Sequence, residues 1–280
     1  MPPAIRSAMS TTEWALLIAL SVLWGGSFFF NAVALTAIPP FTLIAGRTLV
    51  GAALLYLAMR VTGARFPVYG YAWRAFLVMG LLNNVVPFSL FAWGQTEIES
   101  GLASILNATT PLWTVVAANF FTADEKLTPA RIAGVIIGFV GVVIMIGADA
   151  LAEASSHLLA ELACLAAASC YAMSAIYARR FARIGSPPLV TATGQILIAA
   201  LILTPLALVI DRPWTLAMPG PAPLGAVFGI GALSTFVAYL IYYRILATAG
   251  AVSLMLVTFL IPVSAILLGA VVLHERLHPY

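Results

Sequence analysis

At 280 residues, 62% of them hydrophobic and 8% charged, the chain lies outside the range of soluble domains, where about a quarter of residues carry charge. It belongs in a bilayer. A net charge of +3, with its basic residues dispersed along the chain, gives no ground for a nucleic-acid partner.

Residues 1–10 carry Arg6 and lead into Trp14–Leu35, a run of about 22 residues that at about 1.5 Å each covers the roughly 30 Å hydrocarbon core. It is too long for the apolar core of a signal peptide, and the second half of the chain holds a matching run, so it is expected to be retained. Further spans are predicted at Phe41–Met59, Tyr71–Trp93, Leu102–Phe121, Arg131–Gly147, Leu158–Ala178, Leu189–Ile210, Pro223–Ile245 and Ala251–Leu273. Lipid admits only helices and closed barrels, and runs of this length without period-two alternation select helices. The fold class is therefore all-α integral membrane, with nine helices in this chain. Cys164 and Cys170 lie six residues apart in one apolar run and fall on different helix faces, so they read as small buried side chains rather than a disulfide.

The chain also repeats itself. Pro111 is followed by an apolar run and Asp124-Glu125-Lys126-Leu127-Thr128-Pro129; Pro262 is followed by a similar run and His274-Glu275-Arg276-Leu277-His278-Pro279. Trp24 pairs with Tyr171, Pro39-Pro40 with Pro187-Pro188, Gly46 with Gly194 and Trp93 with Tyr243 at nearly the same offset. Two copies of one unit are expected, residues 1–150 and 151–280. The first copy has a helix after Pro129 and the second stops at Tyr280, so the symmetry predicts a tenth helix beyond a chain cut short. Five helices per copy is odd, which makes the second copy enter the membrane from the opposite side, the inverted repeat of many secondary transporters.

Lys and Arg collect in cytoplasmic loops. With a cytoplasmic N-terminus, Arg6, Arg60, Arg65, Arg74, Lys126, Arg131, Arg179, Arg180, Arg183 and Arg244 lie inside, and only Arg47, Arg212 and Arg276 lie on the other side. The predicted location is a bacterial inner membrane, N-terminus inside.

Leu23-Trp24 in the first span, paired prolines opening the second, and a proline upstream of Glu-Lys-Leu-Thr-Pro and of Glu-Arg-Leu-His-Pro together resemble the EamA family of the drug/metabolite transporter superfamily. The resemblance covers the whole chain and implies a ten-helix exporter with both termini inside. Within the family, Leu23-Trp24, Asn107 before Pro111, and the Tyr239 and Tyr242 pair resemble the YddG type of bacterial amino-acid exporter. The chain departs from that pattern at Tyr171 and Thr110, where tryptophan is expected.

A substrate path near the midplane needs polar or aromatic groups where lipid would otherwise prefer aliphatic ones. Trp24 and Tyr171 sit mid-span, away from the interfacial belts, and read either as path or as interhelical packing. Trp14, Trp73 and Trp93, at span ends, read as interfacial anchors. Asn83 and Asn84 precede Pro87, and Asn107 precedes Pro111, by three or four residues. Proline frees the carbonyl four residues earlier, so an amide there caps that carbonyl, bonds a neighbouring helix or meets a ligand. Adjacent amides are not expected to face one neighbour, which sends one of the two toward a cavity. Thr110, Ser174, Tyr239, Tyr242 and Thr258 complete the candidate ring.

Arg47 lies about 9 Å into its span. It is read as a snorkelling side chain, with contact to a substrate carboxylate as the sharper alternative; its counterpart in the second copy is Gln195. No carboxylate occupies the middle of a span, which favours gradient-driven export over proton coupling. Gly25, Gly26, Pro87, Pro111 and Pro262 are candidate hinges, and Pro205 and Gly231 supply further breaks. The stripes Gly134, Gly138, Gly141 and Gly225, Gly229 read as close-packing faces.

His274-Glu275-Arg276-Leu277-His278 matches His-Glu-x-x-His, the zinc-protease motif, but Pro279 pushes His278 off helical angles and the repeat partner carries no histidine. The expectation is a non-enzyme without cofactor or metal: an exporter of aromatic and other neutral amino acids and related metabolites, uniporting or weakly coupled. A multidrug or other metabolite exporter of the same fold is the alternative. Its partners are a small-molecule substrate and the bilayer, and a monomer suffices.

Overall fold

The computed structural model describes residues 9–121, 128–146, 148–255 and 257–273. Among these there is no strand, and seven helices are long and apolar enough to cross a bilayer. In chain order they and their shorter companions are α1 (Thr11–Leu35), α2 (Pro40–Val61), α3 (Gly70–Gly94), α4 (Ser100–Phe121), α5 (Pro129–Ile146), α6 (Ala148–Arg183), α7 (Pro188–Ile210), α8 (Pro221–Ile245) and α9 (Val257–Leu273).

Local chemistry explains three of the starts. Ser10 caps α1 in a reciprocal box with Glu13, satisfying orphan first-turn donors. The proline pairs behave alike: Pro39 and Pro187 occupy the caps, and Pro40 and Pro188 the first turn, where a missing N–H costs nothing. The first turn of α2 has a tertiary partner too. Thr42 donates its backbone N–H and its hydroxyl to Asp211 Oδ2, at 2.6 and 2.9 Å, which ties the start of α2 to the end of α7.

Two boundaries differ from expectation. Helix α6 runs well beyond the predicted Leu158–Ala178, and past the membrane-length span of α8 the same helical backbone continues to Met255, across the connection predicted at 246–250. Leu-Ala-Thr-Ala-Gly carries no proline to interrupt the backbone ladder there. Glu125, Lys126, His274, Glu275 and His278 lie outside the described residues, and with them the zinc motif.

The packing repeats with the sequence. Helix α1 packs on α8 and α9 as α6 packs on α3 and α4; α2 packs on α8 as α7 packs on α3; and α2 and α7 pack on each other. The counterparts run in opposite directions. The end of α1 meets the end of α3, where Asn31 bonds Gln95. The apolar span of α6, His157–Phe181, begins beside that same end of α3, where a β-carbon on Gly94 would stand 3.2 Å from the Ala160 carbonyl.

The outer surface is inverted relative to a soluble protein. Leu57, Phe121, Leu159, Val209, Phe228 and Val271 are exposed, as a bilayer requires and water would punish. Trp14 and Trp93 are exposed at helix ends, as anchors are. Trp73 differs: it is half-buried among Phe66 and Phe76 and donates its indole N–H to the Pro67 carbonyl. The glycine stripes differ as well. Gly138 abuts Leu112 and Gly229 abuts the Phe30 ring, whereas Gly134, Gly141 and Gly225 have no neighbour within 4 Å of a β-carbon. Both cysteines are free.

Candidate functional site

Wherever an aliphatic helix carries polar or aromatic groups three, four and seven residues apart, those groups share a face. Trp24, Ser27 and Asn31 do so on α1, Asn107, Thr110 and Thr114 on α4, and Tyr171 with Ser174 on α6. Tyr239 and Tyr242 do so on α8. All of these face one central cavity of about 340 Å³, and Asn83 of α3, Arg47 of α2, Gln195 of α7 and Thr258 of α9 face it too.

Nine of the ten residues singled out from the sequence therefore line this cavity. Asn84 does not; it is fully buried behind the wall. Both asparagine side chains nonetheless meet one partner, against the expectation that adjacent amides diverge. Asn83 and Asn84 each donate Nδ2–H to the Tyr239 hydroxyl, at 3.0 and 3.2 Å. The reason is local: Leu81–Val85 is a π-helical turn, whose wider spacing reduces the divergence of successive side chains. Asn83 also donates to Gln195 Oε1 at 3.2 Å and accepts from the Ser174 hydroxyl at 3.0 Å. One side chain thus joins α3, α6, α7 and α8. A second π-helical turn, Ala232–Val237, stands at the matching place in α8.

The carbonyl freed by Pro111 is capped by a hydroxyl rather than an amide: Thr110 donates to the Asn107 carbonyl at 2.7 Å. Asn107 Oδ1 is left without a donor among the described residues. Here α4 is broken at Ala108 and Thr109, so Pro111 opens a second half-helix. Pro87 follows the π turn of α3 by two residues, while Pro262 and Pro205 sit in helix without a break. Gly25 has a packing role: a β-carbon there would run into Ser264 Oγ and stand 2.9 Å from the Ala265 amide nitrogen. Gly26 has room, with Phe30 and Leu268 at 3.8 and 3.9 Å.

Trp24 and Tyr171 both line the cavity and pack between helices. The Trp24 ring lies 5.8 Å from Tyr242 and the Tyr171 ring 6.0 Å from Phe91, centroid to centroid, α1 on α8 and α6 on α3 in parallel fashion. Arg47 overturns its snorkelling reading. It is 7% exposed, its guanidinium carbon lies 3.7 Å above the Phe88 ring, and its Nε–H donates to Thr235 Oγ1 at 3.1 Å. The polar groups of α8 and the ring of Phe88 hold it inward, where its length alone would have let it reach an interface.

Sequence reasoning missed Ser27, Asn31 and Gln95. Asn31 donates Nδ2–H to Gln95 Oε1 at 2.8 Å, and Gln95 donates Nε2–H to the Phe28 carbonyl at 2.9 Å. The signal was present, since Asn31 follows Trp24 by two turns. This buried relay closes the cavity at the end where α1 and α3 finish. At the other end the lining extends through Phe181 and Ser186 to Pro188, which is exposed.

The profile of the EamA-like transporter family matches residues 12–147 and again residues 158–280. The chain belongs to the EamA-like transporter family. This EamA-like protein is 22% identical over 262 residues to the uncharacterized transporter YoaV of Bacillus subtilis, covering 93% of this chain and 88% of that one. It is 27% identical over 275 residues to the uncharacterized transporter YvbV of the same organism, covering 95% and 86%. A solved crystal structure shares the fold, with a TM-score of 0.68 at 23% identity over 96% of this chain and 91% of the other. The EamA-like chain is thus a multi-pass membrane transporter, and its cavity is built from helices of both matched segments. Among the described residues no group of three or more His, Cys, Asp or Glu is placed to hold a metal ion.

Proposed function

We propose that the protein exports aromatic and other neutral amino acids and related metabolites across the bacterial inner membrane by alternating access. One observation carries this reading: the cavity between the two copies reaches the surface at Pro188 and stops at the other end at the Asn31–Gln95 bond. The open end is the one to which Arg60, Arg65, Arg74, Arg179, Arg180, Arg183 and Arg244 belong among the described residues, so it faces the cytoplasm, and an exporter loads from there. Rocking one copy against the other would exchange the open and closed ends around a fixed site.

The lining supports the substrate class. Rings of Trp24, Phe91, Tyr171 and Tyr242 offer apolar faces, and amides and hydroxyls supply orienting contacts, the usual make-up of a small-molecule site. No carboxylate lines the cavity among the described residues, which favours uniport over proton coupling. One chain encloses the cavity, so a monomer suffices. Proteoliposomes loaded with labelled phenylalanine and other neutral amino acids test this. Saturable, mutually competing flux that ignores an imposed pH gradient is expected. Absence of flux for every amino acid overturns the substrate class, and flux that follows the gradient overturns uniport.

A further inference from the structure

Among the cavity's unpartnered polar atoms, those that can only donate and those that can only accept stand on different walls. On the packed pair α2 and α7 they are donors: Arg47 bonds only through Nε, its two terminal nitrogens meeting no acceptor among the described residues, and Gln195 Nε2 lacks an acceptor. On the packed pair α1 and α4 they are the acceptors Asn31 Oδ1 and Asn107 Oδ1, with the Ser27 hydroxyl, which can donate or accept, beside them. The polarity at Asn31 is dictated by its surroundings. The Phe28 carbonyl accepts only a donor, so Gln95 turns Nε2 toward it and Oε1 toward Asn31; Asn31 then offers Nδ2 to Gln95 and keeps Oδ1 for something else.

We propose that Arg47 binds the carboxylate of the substrate and that the α1/α4 wall, through Asn31 and Asn107, binds its ammonium group. This rests on the reading that amino acids are the cargo. A guanidinium remains charged in a protein and presents a fork that matches a carboxylate. Burying it without an anion is costly, and removing one member of a buried pair is more costly still. Phe88 covers one face of the fork and Thr235 holds its Nε, so its free edge is preorganised.

Calorimetric titration of the purified protein in detergent tests the assignment with four probes: L-phenylalanine, its methyl ester, phenylacetate and phenethylamine. L-Phenylalanine is expected to bind best, and phenylacetate to bind about tenfold or more tighter than phenethylamine, the worth of one charge-assisted bond. In Arg47→Gln, which copies Gln195 of the other half, affinity for L-phenylalanine and phenylacetate falls about tenfold or more while that for the methyl ester and phenethylamine is unchanged. Phenethylamine binding as well as phenylacetate to the wild-type protein overturns the proposal even if Arg47→Gln does not fold. So does a preference for the acid that survives in Arg47→Gln. Arg47-dependent binding of phenylacetate without binding of L-phenylalanine keeps the carboxylate anchor and overturns the amino-acid reading alone. No binding of either acid overturns both.

Discussion

A β-carbon on Gly231 would stand 3.0 Å from the carbonyl oxygen of Arg47 and 2.6 Å from Val50 Cβ, so α8 lies backbone against backbone on α2 beside the buried cation. The contact has a twin: a β-carbon on Gly80 would stand 3.0 Å from the carbonyl of Gln195, the counterpart of Arg47. Each glycine immediately precedes a π-helical turn. Gly231→Ala is therefore expected to cost about 1–3 kcal/mol by overpacking, with Gly80→Ala milder because no atom there comes nearer than 3.0 Å. Gly225→Ala, with open space around it, is expected to be neutral. Thermal unfolding in detergent checks the order; equal melting points for Gly231→Ala and Gly225→Ala would refute the close crossing.

Tyr239→Phe removes the shared acceptor of Asn83 and Asn84. Asn84 is then a buried amide without an acceptor, at a cost of about 1–3 kcal/mol, while Asn83 keeps Gln195 Oε1, so this one oxygen is expected to matter more than the hydroxyl of Tyr242, which has no bonded partner among the described residues. Unfolding of Tyr239→Phe beside Tyr242→Phe measures the difference. Indistinguishable stabilities would mean that Asn84 finds another acceptor.

Gln95→Leu breaks the closed end and leaves Asn31 without its acceptor. A loss of about 1–2 kcal/mol there shifts the balance toward the form open at that end by about tenfold. Ser27→Cys, in a background carrying Cys164→Ala and Cys170→Ala, reports this as faster reaction with an impermeant maleimide added from that side. An unchanged rate counts against the relay as a seal.

Asp211→Ala unties the first turn of α2, removing the acceptor of the Thr42 N–H and hydroxyl. The expected loss is about 1 kcal/mol, typical of a helix cap, seen as a lower melting point. The pair of Glu97 and His157, 3.8 Å apart and exposed on both sides, is expected to add far less, so Glu97→Gln serves as the comparison.

Much of this was legible in the residues. Length, apolarity and the offset between Trp24 and Tyr171 or between Pro40 and Pro188 announce helices and a duplicated unit, because lipid permits so few alternatives. Polar and aromatic residues in the middle of apolar spans, and amides placed just before prolines, led to nine cavity-lining side chains. What escaped were properties of packing rather than pattern. Arg47 turned inward because Phe88 and Thr235, distant in sequence, receive it. Asn83 and Asn84 converge because a π-helical turn, which leaves no clear trace in the residue order, alters their angles. Gln95 closes the cavity from just beyond the end of its helix, at a position that reads as connection.

The seal at Asn31 and Gln95 has a consequence for temperature. The counterparts of these residues in the second copy are Ala178 and Ile245, so a seal at the opposite mouth built by the same rocking would be a hydrocarbon contact instead of an amide relay. Apolar association weakens on cooling, while amide bonds do so far less. Chilling should then hold the carrier shut at the Asn31–Gln95 end and warming should release it, a tilt that spin-label distances across each mouth at two temperatures would register; no change, or the opposite drift, would contradict it.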